Sequence, residues 1–308
     1  MASDRSVNLR RRSDLNRRIR QFFEERDFVE IEAPILVPSP GLELHLDAFA
    51  VENRYLITSP EYQMKRLLGA GMQRIYSLGK VFRRGEAGRH HNPEFTMLEW
   101  YRANAGWEAI ADDFEALMAA VGGPSGWQRL SVAEATRRFA GVRVEGDEDL
   151  ETLRKKIDGA GRRLPSTGDW SDLFFTLFLD AVEPRIDRPT ILYDWPRPLC
   201  ALAREKPGDS RVVERFEAYA PSPDGVLELC NGFGELTDAA EQRRRLEADR
   251  DQRRKRGLPE YPIDEKFLAA LAAMPPSGGV ALGVDRLAML LFGAREIREV
   301  LAFADDEL

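Results

Sequence analysis

The sequence is poor in the features that would tie it to an oxidising compartment, a membrane or a polyanion. It has two cysteines, Cys200 and Cys230, in 308 residues. That is too few for a disulfide framework, so a reducing cytoplasm is the expected setting. No apolar run approaches the ~20 residues of a membrane span. The best candidate, GVALGVDRLAMLLFG, is interrupted by Asp285 and Arg286. The N-terminal MASDRSVNLRRRSDLNRR has charge but no apolar segment, so no secretory signal is expected. Positive charge is also in deficit. A net charge of −7 argues against stable binding to nucleic acid through phosphate neutralisation and leaves room only for a local basic patch. Neither an internal repeat nor a low-complexity linker is present. With 43% hydrophobic residues, the chain can bury a sizeable core. A single domain over 1–308 is expected.

What is present is a mixture of strands and helices. Leu15, Ile19, Phe22 and Phe23 recur at helical spacing within 14–26. FVEIEAPILV alternates like a strand until Pro34, which marks an edge, kink or interface. NRYLITSP, RIYSLGKVFRR and PEFTMLEWYRA read as further strands, the last two paired across a loop rich in Gly, Arg and His. The middle is helical: 107–121, a helix opened by the capping box of Ser131 and Glu134, 148–159, and WSDLFFTLFLDAV. Strands return in TILYDW, RFEAYA, GVLELCNGFGEL and GGVALGV, the last preceded by a charged helix at 238–256 and a shorter one at 264–273. The charged helix fits a solvated surface with i,i+4 Glu–Arg pairs, or the docking face of a partner. Hairpins with separate helix blocks predict an α+β fold, an antiparallel sheet with helices on one side.

Three stretches place chemistry together. In the strand containing EFTMLEWY, Phe95, Met97, Glu99 and Tyr101 share a face, an arrangement suited to holding both a flat apolar ring and a cation. Just upstream, Arg83 ends a strand, where its planar fork suits a phosphate, and Arg89, His90 and His91 follow in the loop. Taken alone, that loop reads first as an exposed basic hairpin tip, and only the sequel favours the phosphate. In ELCNGFGEL, Asn231, Phe233 and Glu235 share a face. Glu228 joins them only through a bulge, and Gly232 and Gly234 call for one, or for a close approach by a ligand or backbone. Glu217 lies on another strand, and carboxylates on adjacent strands suit Mg²⁺. In GGVALGVDRLAML a strand runs into a helix near Asp285, with Arg286 in the first turn, where a bound anion would offset the unfavourable dipole. Glu61 opens a helix after Pro60.

In this order, these segments resemble the three signature motifs of class II aminoacyl-tRNA synthetases. SPEYQMKRLL, HNPEFTMLEWY, NGFGELTDA and GVALGVDRL look like the catalytic domain of lysyl-tRNA synthetases. They are more similar still to that domain's short paralogues, which ligate lysine or (R)-β-lysine to elongation factor P. The resemblance covers about residues 8 to 304. It implies an antiparallel sheet of class II type and an ATP-dependent, AMP-forming ligase. Arg83 would hold the α-phosphate of ATP and Arg286 the γ-phosphate, with His91 near the terminal phosphates and Phe95 on the adenine. Glu217 and Glu228 would hold Mg²⁺. Glu61, Glu99, Tyr101, Asn231, Phe233 and Glu235 would line the amino-acid pocket, and Pro34 a homodimer interface.

Two features point to a ligase rather than a synthetase. The helix before the Pro34 strand begins by about residue 10, so no anticodon-binding domain is expected. Ala281 stands where the resembled synthetases have Gly, and its methyl would favour a shifted amine such as that of (R)-β-lysine. The expected acceptor is a lysine ε-amino group of elongation factor P. The sequence departs from the family in two places. Gly85 replaces a Glu expected on the adenine side, with Glu86 one place late, and APSPDGV lengthens the hairpin between Glu217 and Glu228. Arg89, by contrast, follows the ligase pattern. A truncated synthetase acting on tRNA or a small amine, and a catalytically inactive binding protein, are the competing interpretations.

Overall fold

The computed structural model describes residues 5–44, 46–165, 167–200 and 202–308. Its main sheet is built from β1 (Val29–Glu30), β2 (Arg74–Phe82), β3 (Glu94–Ala103), β4 (Gln128–Ser131), β5 (Thr190–Pro196), β6 (Asp209–Ser222), β7 (Gly225–Gly234) and β8 (Ser277–Gly283). They run in the order β1-β2-β3-β8-β7-β6-β5-β4, and Glu205–Lys206 pairs with β6 off this path. The five central pairings are antiparallel, as expected. The outer ones, β1 with β2 and β4 with β5, are parallel, so the sheet is mixed. A separate three-stranded sheet joins Leu36–Val37, Arg54–Leu56 and Ala50–Val51. Pro34 falls between two short strands and divides the expected long one.

Helices cover both faces of the sheet, not one. On one face, α1 (Arg5–Glu24), α3 (Trp107–Val121) and α6 (Val284–Phe292) bring Phe22, Phe23, Phe114 and Leu287 onto Tyr76, Leu98, Trp100, Val280 and Leu282. Phe23 stacks on Tyr76 at 4.5 Å between centroids. The other face packs α2 (Glu61–Gly69), α5 (Glu265–Leu271) and the helical middle against Ile75, Tyr101, Tyr219 and Phe233. Alternation along β3 separates the two: Leu98 and Trp100 belong to the first core, Phe95, Met97, Glu99 and Tyr101 to the second side. The one-sided expectation failed because the helices divide: α1, α3 and α6 take one face, and α2, α5 and the helical middle take the other.

α1 starts nearer the N-terminus than its apolar spacing signalled. Its first turns are held by polar contacts: the Asn8 amide donates to the Glu299 carbonyl at 3.0 Å. The capping box at Ser131 and Glu134 is formed. The charged helix α4 (Ala239–Lys255) has the expected i,i+4 pair of Glu241 with Arg245 at 2.8 Å, but it is not simply solvated. Arg253 on it is fully buried and donates to the carbonyls of Glu43, Leu44 and Leu46 at 2.9–3.0 Å. It also pairs with Asp47 at 2.5 Å. Those contacts hold Glu43, Leu44, Leu46 and Asp47 against α4.

Candidate active site

A cavity of about 410 Å³ opens on the second face of the sheet. Its floor follows from strand register. Glu99, Ala281, Asn231 and Glu217 are successive cross-strand partners on β3, β8, β7 and β6. Tyr101, Gly279, Phe233 and Arg215 form the next row. Gly279 is required here, since a Cβ on it would lie 2.2 Å from Tyr101 Cε1 and 2.7 Å from Glu235 Oε1. Gly279→Ala is therefore expected to cost about 1–3 kcal/mol through overpacking. Denaturant titration checks this, and a variant as stable as the unaltered protein would contradict the packing argument.

The bulge needed to bring in Glu228 is present. Ala218 pairs with Cys230, but Tyr219 pairs with Glu228, leaving Leu229 as the extra residue. Glu228 thereby turns to the same face as Glu217 and Asn231. The strand glycines have a different cause from a bulge. A Cβ on Gly232 would lie 2.4 Å from the Phe216 ring, and one on Gly234 would strike Glu214.

At one end of the cavity, Glu61, Glu99 and Glu235 converge. Glu61 lines the surface, whereas Glu99, Tyr101 and Glu235 stand behind it in the wall. Tyr101 donates to Glu99 Oε1 at 2.6 Å and Ser59 to Oε2 at 2.7 Å. Burial, reinforced by Glu61, pushes the Glu99 carboxyl up to about 8. Burial also raises Glu235 to about 7, opposed by Lys65. Lys65, fully buried one turn after Glu61, is the residue that the sequence reading missed. It pairs with Glu61 at 2.5 Å and with Glu235. Burial opposes its charge, but the two carboxylates outweigh that and hold its pKa above the ordinary lysine value. The i,i+4 spacing of Glu61 and Lys65 was the available signal. Asn231 and Phe233 line the cavity, and Asn231 Oδ1 has no hydrogen-bond partner there. An unpaired acceptor beside a cage of acids fits an amine-bearing ligand.

At the other end are Arg83, Arg286, Glu86, His91, Phe95 and Glu228, all on the cavity surface. The Arg83 guanidinium lies over the Phe95 ring at 5.1 Å from its centroid. Arg286, third residue of α6, donates to the Glu228 carbonyl at 3.0 Å and contacts the His91 ring. Partial desolvation and the adjacent Arg286 hold the His91 pKa down to about 4, so at neutral pH the ring is uncharged. Gly85 has a φ of +85°, a turn that favours glycine, and the chain then carries Glu86 to within 3.7 Å of Arg83. The hairpin after β6 reaches the same loop, with Asp224 at 3.0 Å from both Arg89 and His90.

Glu217 is more enclosed than its partner carboxylate. One oxygen accepts from Arg215 at 2.5 Å and the other from Tyr219, and it does not line the cavity. Among the described residues, no group of three or more His, Cys, Asp or Glu is placed to hold a metal. Glu228, which does face the cavity, fits Mg²⁺ as a single carboxylate, since this ion takes one or two and completes its shell with phosphate oxygens and water.

A family of class II tRNA synthetases (D, K and N) matches this chain over residues 1–307. A protein of Haemophilus influenzae (strain PittGG) named elongation factor P–(R)-β-lysine ligase is 42% identical over 97% of this chain and 95% of its own length. Proteins of the same name from Proteus mirabilis (strain HI4320) and Klebsiella pneumoniae (strain 342) are each 42% identical. They cover 96% and 97% of this chain and 94% and 95% of their own lengths.

Proposed function

The chain belongs to the class II tRNA synthetase family, and from that premise we propose that it activates lysine or (R)-β-lysine with ATP and transfers the acyl group to a lysine of elongation factor P. One observation carries this: two cavity-facing arginines at one end of a single pocket and a buried acid cage at the other. The first suits a triphosphate, the second an amine-rich amino acid.

Arg83 and Arg286 draw charge from the phosphates while the substrate carboxylate, already an anion, attacks the α-phosphorus in line and pyrophosphate departs. No side chain needs to act as base in that step. Glu61, with Ser59 and Tyr101 orienting Glu99 behind it, positions the amines. Glu228, with Glu217 behind the floor, would hold Mg²⁺, which supplies neutralisation of phosphate charge when bound. Phe95 offers a flat surface to adenine, and Glu86 takes the place of the acid absent at Gly85. The chain is read as a cytoplasmic enzyme; among the described residues no helix is long and apolar enough to cross a membrane. Val29, Ile35 and Leu36, exposed around Pro34, support a homodimer face.

Pyrophosphate exchange with each lysine isomer, followed by the mass shift on elongation factor P, tests the proposal. Absence of exchange with both isomers would overturn it, and charging of tRNA in place of the protein would redirect it. Ala281, between Glu99 and Asn231, sets the choice of isomer. Ala281→Gly is expected to raise kcat/KM for α-lysine relative to (R)-β-lysine about tenfold, from the loss of one methyl in a close-packed wall.

A further inference from the structure

The transfer step makes a demand that none of these residues meets. A lysine acceptor with a pKa of ~10.4 is an ammonium at neutral pH, and its nitrogen has no free pair until a proton leaves. A base must therefore stand in the cavity near the acyl carbon, close to both the acid cage and the phosphate arginine.

Glu43 occupies that position. It lines the cavity with Leu44 and Leu46, and shares a side recess with Thr58, Ser59 and Glu61. Its main chain does not drift, because buried Arg253 holds its carbonyl at 2.9 Å. Among the described residues, its carboxylate makes no hydrogen bond or ion pair. The charged groups facing it are Glu61 on α2, Arg83 at the end of β2, Asp249 on α4 and Arg215 on β6. It thus lines the same cavity as the residue assigned to an amine and the residue assigned to the α-phosphate, the cavity in which the acyl carbon would lie.

Resting on the function proposed above, we propose that Glu43 is the base that takes the proton from the acceptor ammonium. The freed nitrogen pair forms the C–N bond to the acyl carbon. The acyl C–O bond breaks, with its electrons leaving on the phosphate of AMP, and the second proton shed by the nitrogen leaves through that phosphate to solvent. Asp249, at the same wall, draws a cationic side chain inward. Burial first, then Glu61 and Asp249, push the Glu43 carboxyl up to about 7, against Arg83 and Arg215. A base with a pKa near the working pH is both ionised often enough and basic enough to serve.

The two half-reactions separate this role from a structural one. In Glu43→Gln, single-turnover transfer to elongation factor P should slow about 100-fold more than pyrophosphate exchange. The rate limb near pH 7 should vanish, leaving transfer to rise steadily with pH as the acceptor deprotonates unaided. Hydroxylamine, neutral at pH 7, should be acylated by the variant at close to the unaltered rate, and Glu43→Asp should recover part of the protein transfer. Equal loss in both half-reactions, or an unchanged pH profile of transfer, overturns the inference alone. Absence of exchange in the unaltered protein overturns it together with the functional proposal.

Discussion

Arg286→Ala is expected to lower pyrophosphate exchange about a thousandfold at saturating amino acid, and Arg83→Ala comparably. The size follows from how little other positive charge faces that end of the cavity. His91 is uncharged at neutral pH, because partial desolvation and Arg286 hold its pKa near 4. Arg286 is aimed by its bond to the Glu228 carbonyl at 3.0 Å, from the first turn of α6. Lysine in its place keeps the charge but loses the planar fork, so Arg286→Lys should recover only part of the rate. Exchange in Arg286→Ala within tenfold of the unaltered protein would remove the phosphate assignment.

The largest effect on stability is expected at Lys65→Met. The substitution leaves Glu61 and Glu235 facing one another without their shared cation, and breaking a buried pair in this way costs about 3–5 kcal/mol. The loss should depend on pH. Glu235 already has a folded pKa raised to about 7, chiefly by burial, and removing Lys65 takes away a group that holds it down. A carboxyl whose folded pKa exceeds its unfolded value favours the fold below the unfolded value of 4.5, and that advantage fades as pH rises through the folded value. The variant should therefore be close to the unaltered protein near pH 5 and far less stable near pH 8. Denaturant midpoints at the two pH values check this, and a loss independent of pH contradicts it.

The strands bearing the site were visible from the sequence because their chemistry is periodic: Phe95 to Tyr101 and Asn231 to Glu235 each show their face by counting in twos. Arg83 was visible because it follows a strand end, and Arg286 because it lies in the first turn of a helix. The parallel outer pairings were not: β1 keeps only two residues of the alternating FVEIEAPILV run, and β4, of four residues, is too short to carry such a pattern. Lys65 was hidden by its type, as a lysine on a helix ordinarily reads as solvent-facing, and only the fold shows Glu235 closing over it. Glu43 was hidden by its place in an irregular segment, whose path depends on Arg253 more than two hundred residues away. The placing of Tyr101 and Glu235 behind the surface depends on Gly279, whose missing side chain only the neighbouring strand explains.

The extra residue at Leu229 has a bearing on comparison between relatives. Downstream of it, residue parity maps to the cavity one way, and upstream the other way. A relative without that insertion must draw its acid from a position of opposite parity, or present a different side chain to the arginine of α6. An alignment that slides a gap past Leu229 would therefore exchange an inward carboxylate for an outward one without altering any matched letter elsewhere.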